Sequence, residues 1–159
     1  MKKQLLSLLI MASALSACPA QDNTWPDPVP EPLTEVDYAC CEARLRELPL
    51  NYAGVAAQAY QGDAKALQAL LTASKEMDLP SSYVHGSVLA RVLSKVQDQA
   101  FANAILSLDS QLNSPHPIFQ EPLRDSLRNM LEGGFQFQAG QESLADFPET
   151  SKILAYQVK

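Results

Sequence analysis

The sequence predicts a mainly all-α fold of antiparallel helical hairpins, and three observations carry that prediction. Apolar residues recur at three- and four-residue steps, as in Leu67, Leu70 and Leu71 or Phe101, Ile105, Leu108 and Leu112. Proline and glycine punctuate these stripes at Pro49, Gly62, Pro80, Pro115, Pro117 and Gly133-Gly134. The connections left over are short, about two to six residues, so neighbouring helices must fold back on one another.

About six helices follow from this pattern. Thr34, with Asp37 three residues on, forms a capping-box start, and Val36, Ala39, Cys40, Ala43 and Leu48 keep near-helical spacing until Pro49. A second helix covers Tyr52 to Tyr60 and stops at Gly62. Asp63 caps a third, whose stripe of Leu67, Leu70, Leu71 and Met77 ends at Pro80. Ser81 or Ser82 caps a fourth that runs to Gln97, and Asp98 caps a fifth around Phe101, Ile105, Leu108 and Leu112. Phe119, Leu123, Leu127, Met130 and Leu131 align in a sixth that ends at Gly133-Gly134. Phe135-Gln136-Phe137-Gln138 alternates apolar and polar residues, and Ile153 to Val158 is rich in strand formers. The two segments could pair as a short C-terminal β-ribbon, and the second could equally be a last helix.

Ahead of this domain the chain has a different character. Lys2 and Lys3 precede an uncharged, mostly apolar run from Leu5 to Leu15, the pattern of a secretory signal peptide. A membrane span needs roughly 20 apolar residues, and this run is too short for one. Five of the eleven prolines lie between Pro19 and Pro32, where fixed φ and missing donors favour an extended polyproline leash. At about 3.1 Å per residue, residues 19–33 would reach roughly 45 Å. PDPVPEP with Trp25 could alternatively serve as a docking peptide for an aromatic groove. The expected organisation is thus a leader at 1–17, a lipidated cysteine and tether at 18–33, and one helical domain at 34–159.

The segment Leu15-Ser16-Ala17-Cys18 resembles the lipobox of bacterial lipoproteins. The resemblance implies that Cys18 receives a diacylglyceryl group, that cleavage precedes it, and that the new amino terminus is acylated. Two or more acyl chains give stable anchoring, since each buried CH₂ contributes about 0.8 kcal/mol. Pro19 stands where enteric lipoproteins kept at the inner membrane carry aspartate, so the resemblance points to an outer-membrane anchor facing the periplasm. Residues 63–71 and 98–106 repeat one pattern 35 residues apart, and residues 50–113 resemble helical-hairpin repeats of the tetratricopeptide or ankyrin type.

Composition narrows the function. The chain carries 12 Lys+Arg against 18 Asp+Glu, for a net charge of −6, with no basic cluster, which disfavours a nucleic-acid surface. The leader holds two of the basic residues and no acidic ones, so the mature chain would carry 10 against 18, a net charge of −8. Anionic lipid repels such a chain, which assigns membrane attachment to the acyl groups.

With two histidines, three cysteines and six glycines, the sequence forms no nucleophile elbow, zinc helix or phosphate loop. No metal, cofactor, catalytic residue or small-molecule ligand is therefore inferred. His85 shares a helix face with valines and is expected in the core, hydrogen-bonded to a backbone carbonyl, while His116 sits in a proline-flanked loop. Cys40 and Cys41 are adjacent thiols of an expected oxidising compartment. Three states stay open for them: unpaired thiols, intermolecular disulfides, or a vicinal disulfide, which on a helix would need a strained backbone. Glu42 with Arg46 and Asp125 with Arg128 have helix-surface spacing and read as weak, solvated pairs. The function expected is a lipid-anchored periplasmic module that binds or assembles another envelope protein. An inhibitor or immunity protein against a toxin or hydrolase is the alternative, and an envelope hydrolase the third.

Overall fold

In the computed structural model, residues 31–111, 121–136 and 142–155 are described, and they are mainly helical. The leader, Cys18, Trp25, most of the tether and His116 lie outside them, as do residues 137–138 and 156–158 of the suggested ribbon. The elements are α1 (Glu31–Thr34), α2 (Glu42–Arg46), α3 (Tyr52–Tyr60), α4 (Ala64–Ala73) with a 3-10 turn at Ser74–Glu76, and α5 (Leu79–Val96). They continue as α6 (Asp98–Gln111), α7 (Glu121–Gln136), a 3-10 turn at Leu144–Asp146, and α8 (Pro148–Leu154). Among the described residues there is no strand: Phe135 and Gln136 belong to α7, and Ile153 and Leu154 to α8.

Local chemistry accounts for the starts. The Asn51 side chain accepts from Gly54 N at 3.0 Å and opens α3, and Asp63 accepts from Ala66 N at 2.8 Å and opens α4. Gly62 between them holds φ at +93°, a left-handed backbone that favours glycine and turns α3 into α4. Helix α5 begins three or four residues earlier than a cap at Ser81 or Ser82 would place it. Asp78 caps it, accepting from Ser81 N at 3.0 Å while Ser81 Oγ accepts from Asp78 N at 3.2 Å. Pro80 ends nothing here. It stands in the first turn of α5, where a proline's missing N–H would have had no helical partner.

Three further differences have physical causes. Thr34 closes α1 and does not start a helix, and Asp37 accepts from Ala39 N at 3.0 Å in a local turn, so residues 35–41 are non-helical. Leu33, read as the end of the tether, is fully buried in the core, so the folded part includes α1. Gly133-Gly134 do not end α7, which runs on to Gln136. The missing side chains of Gly134 and Gly86 let α7 cross α5 at backbone contact: a Cβ on Gly134 would sit 2.1 Å from Gly86 O, and one on Gly86 2.1 Å from Met130 O. Tertiary packing thus outweighs the ~1 kcal/mol helix penalty of these two glycines.

The core gathers Leu33, Val36, Leu45, Tyr52, Leu70, Leu71, Leu89, Leu93, Phe101, Leu127, Leu131 and Leu154 into one cluster. Helices α3 and α4 pack as a consecutive pair, but the most extensive contact joins α5 to α7, while α6 lies on α4 and α8. Burying about a dozen such side chains, each worth roughly 1.5–3 kcal/mol, dominates the favourable side of folding. Asp98 makes the longest-range cap. As the first residue of α6, it accepts from Glu149 N and Thr150 N, both at 2.7 Å, and so caps α8, whose own N-cap Phe147 offers no side-chain acceptor. Burial pushes the Asp98 carboxyl upward, but the bonds from Glu149 and Thr150 outweigh it and hold the carboxyl below its ordinary value.

Candidate functional site

The non-helical segment 35–41 forms one wall of a cleft. Leu33, Val36 and Cys41 anchor it in the core, Tyr38 Oη donates to Leu33 O at 3.2 Å, and Cys41 N donates to Tyr38 O at 3.0 Å. Opposite lies one face of α5, because Tyr83, Val84, Ser87 and Arg91 recur at helical spacing. Together with Glu35, Val36 and Asp37 these residues enclose a cavity of about 300 Å³.

The charges in the cleft are unequal in access. Arg91 lies along the wall with its side chain only 11% exposed, donating through Nη1 to Ser87 O at 3.2 Å, with Nη2 3.7 Å from Glu35 Oε2. Glu35 itself is 66% exposed. Asp37 is exposed too, so the surface a ligand meets carries two carboxylates, and the guanidinium is covered. Burial raises the Tyr38 phenol above its ordinary value, and the nearby Arg91 offsets this in part. Tyr38 therefore stays neutral beneath the acidic rim.

Cys40 and Cys41 are joined as a vicinal disulfide with Cα atoms 3.8 Å apart. They occupy the turn before α2, with Cys41 as its N-cap residue, and not the interior of a helix, where the 100° step would part them. Cys41 is buried and Cys40 exposed. Arg44, one turn into α2, donates to Glu76 O through Nε at 3.2 Å and Nη2 at 2.5 Å, tying this corner to the turn after α4.

His85 is fully buried on α5, as its apolar face predicts, but its partners are hydroxyls and not a backbone carbonyl. Nδ1 lies 2.8 Å from Tyr52 Oη and Nε2 2.8 Å from Ser74 Oγ. A neutral imidazole satisfies both, donating from one nitrogen and accepting at the other. Burial drives its pKa down to about 3, so the ring is uncharged at neutral pH and cross-links α3, α5 and the 3-10 turn. Burial likewise raises the Tyr52 phenol. The sequence gives no sign of Tyr52 and Ser74 as partners, since their separations of 33 and 11 residues from His85 follow no motif. Glu42 and Arg46 do pair on the exposed side of α2, as their spacing predicts.

Among the described residues, no three His, Cys, Asp or Glu side chains are grouped to hold a metal ion, and no helix is long and apolar enough to cross a membrane. No family model, curated protein or solved structure matches the chain. The geometry by itself defines the class: a mainly helical domain with an acidic-rimmed surface cleft between segment 35–41 and α5.

Proposed function

We propose that this protein is a lipid-anchored binding or assembly module of a bacterial envelope, attached at Cys18, most simply to the outer membrane, and presenting its helical domain to another envelope protein. The observation that carries the reading is the order of parts: a lipobox, a proline-rich stretch, then a helical domain whose surface holds a cleft. The cleft lies on the α1–α2 side of the domain, in the segment that follows the leash. Attachment ahead of such a surface raises its effective concentration at the membrane.

Fractionation of Cys18→Ala tests the anchor, with loss from membranes expected; unchanged membrane association and mobility would refute it. Affinity capture from detergent-solubilised envelopes tests the binding role, and recovery of no specific partner while the purified protein turns over a substrate would overturn it. The net acidity favours one second reading, an inhibitor or immunity protein steered to a basic toxin or hydrolase. Association insensitive to salt would count against that steering.

A further inference from the structure

Residues 38–41 carry the parts of a helix start without being helical. Asp37 Oδ1 accepts from Ala39 N at 3.0 Å, the contact that a helix N-cap makes with the second residue after it. Yet α2 begins only at Glu42, four residues later than a helix capped by Asp37 would, and its own N-cap, Cys41, makes no side-chain cap bond. Tyr38, Cys41, Leu45 and Leu48 stand at steps of three, four and three, with Tyr38 half-buried and the others buried, so one helical stripe already runs from Tyr38 through α2. Cys41 N donates to Tyr38 O at 3.0 Å, a tight turn that an α-helix would replace with bonds one residue longer. What interrupts the helix is the bond between Cys40 and Cys41. A disulfide holds its Cβ atoms about 3.8 Å apart, whereas the step of about 100° per residue parts neighbouring side chains on a helix.

We propose that Cys40 and Cys41 form a redox switch: reduction lets residues 38–41 wind into α2, which then runs from Tyr38 to Arg46 with Asp37 as its N-cap. The reductant is a protein dithiol. One of its thiolates attacks Sγ of the exposed Cys40, the bond to Cys41 breaks, and the electron pair leaves on Cys41 Sγ, which takes up a proton. The second thiolate of the dithiol then attacks its own partner sulfur in the mixed disulfide and releases Cys40 as a thiolate, which is protonated in turn. Two electrons and two protons have passed to the cysteine pair, and the dithiol is left as a disulfide. Winding at about 1.5 Å per residue draws Asp37 and the adjoining cleft wall toward α2, so the two oxidation states present different clefts. The switch requires neither the lipid anchor nor a bound partner, so its failure and that of the binding-module reading are distinguishable.

Backbone NMR of the full-length protein in detergent micelles, before and after dithiothreitol, is the test. Alkylation followed by mass spectrometry should find Cys40 and Cys41 blocked before reduction and both labelled after it. Reduction should move the Cα shifts of Tyr38 to Cys41 to helical values. It should also slow amide exchange several-fold at Glu42, Ala43 and Arg44, which precede the first α2 bond, from Leu45 N to Cys41 O. Cys40→Ala, which keeps the buried Cys41 in place, should show the same signature without reductant. Adding Asp37→Ala to it should lower the helix–turn equilibrium constant about fivefold, as expected for one lost N-cap. Free thiols before reduction, unchanged shifts after it, or loss of α2 on reduction would overturn the switch. So would turn-like shifts in Cys40→Ala, or a helical signature there that Asp37→Ala leaves intact.

Discussion

Adjacent glycines in α7 should respond to alanine with opposite signs. A Cβ on Gly134 would lie 2.1 Å from Gly86 O and 2.4 Å from its carbonyl carbon, both backbone atoms of α5 that cannot rotate away. Restoring an ordinary carbon–oxygen contact of about 3.3 Å parts the two helices by roughly 1 Å. A gap of that size forfeits up to about half the dispersion well of each contact across their interface. Overpacking of this kind costs about 1–3 kcal/mol or somewhat more, against a gain of ~1 kcal/mol in helix propensity. Because the clashing atoms are backbone, the cost sits at the upper end of that range, and Gly134→Ala should destabilise by about 2 kcal/mol net. For Gly133→Ala the nearest atom is Tyr83 Cδ1 at 3.9 Å, ordinary contact, so only the propensity gain acts and the variant should be stabilised by about 0.5–1 kcal/mol. Urea unfolding followed by far-UV circular dichroism reads both. A Gly134→Ala protein as stable as the parent would refute the close crossing, and a destabilised Gly133→Ala would refute the assignment of which glycine faces α5.

The remaining predictions concern the polar ties. His85 has a folded pKa lowered to about 3, so its contribution is fully present above its unfolded pKa of about 6.5 and is lost as pH falls toward the folded value. Between about pH 6 and 4 stability should fall by up to ~1.4 kcal/mol per pH unit, and His85→Gln should be less stable at neutral pH but flatter across this window; parallel slopes in equilibrium unfolding would contradict the neutral, buried ring. Asp98→Ala should cost about 1–2 kcal/mol and raise amide hydrogen exchange selectively over α8. Because the Asp98 carboxyl is held below its ordinary value, its cap is present above about pH 4 and is lost as pH falls through the folded pKa. Unchanged exchange at Glu149 and Thr150 in Asp98→Ala would rule out the cross-cap.

What could be read in advance divides by the range of the interaction. The α3 boundaries, the Asp63 cap and the α6 stripe are set by residues within a turn of one another, and the sequence displays them. The start of α5 is also local, but Asp78 and Ser81 reciprocate with a serine where the usual signature has Glu or Gln, and by sequence alone Pro80 reads as a terminator. Val36, Ala39 and Cys40 have near-helical spacing, but of the three only Val36 reaches the core, while Ala39 and Cys40 are exposed on an irregular backbone that periodicity cannot tell from a helix. The close passage of α7 at Gly134 depends on Gly86, some 48 residues earlier, a distance no local rule spans. The cleft has the same origin, with Glu35 and Arg91 meeting only once α1 and α5 are packed.

The bond between Cys40 and Cys41 has an unusual thermodynamic standing. A cross-link stabilises a fold chiefly by shrinking the conformational freedom of the unfolded chain, and that effect grows with the loop it closes. Here the loop is two neighbours already held by a peptide bond, so the gain is on the order of 1 kcal/mol at most, far below what a bridge between distant helices would give. Its opening and closing are thus nearly decoupled from whether the domain is folded. The fold can carry either oxidation state, and a reductant would act on the geometry of the turn leading into α2, beside the wall of the cleft, without melting the helices behind it.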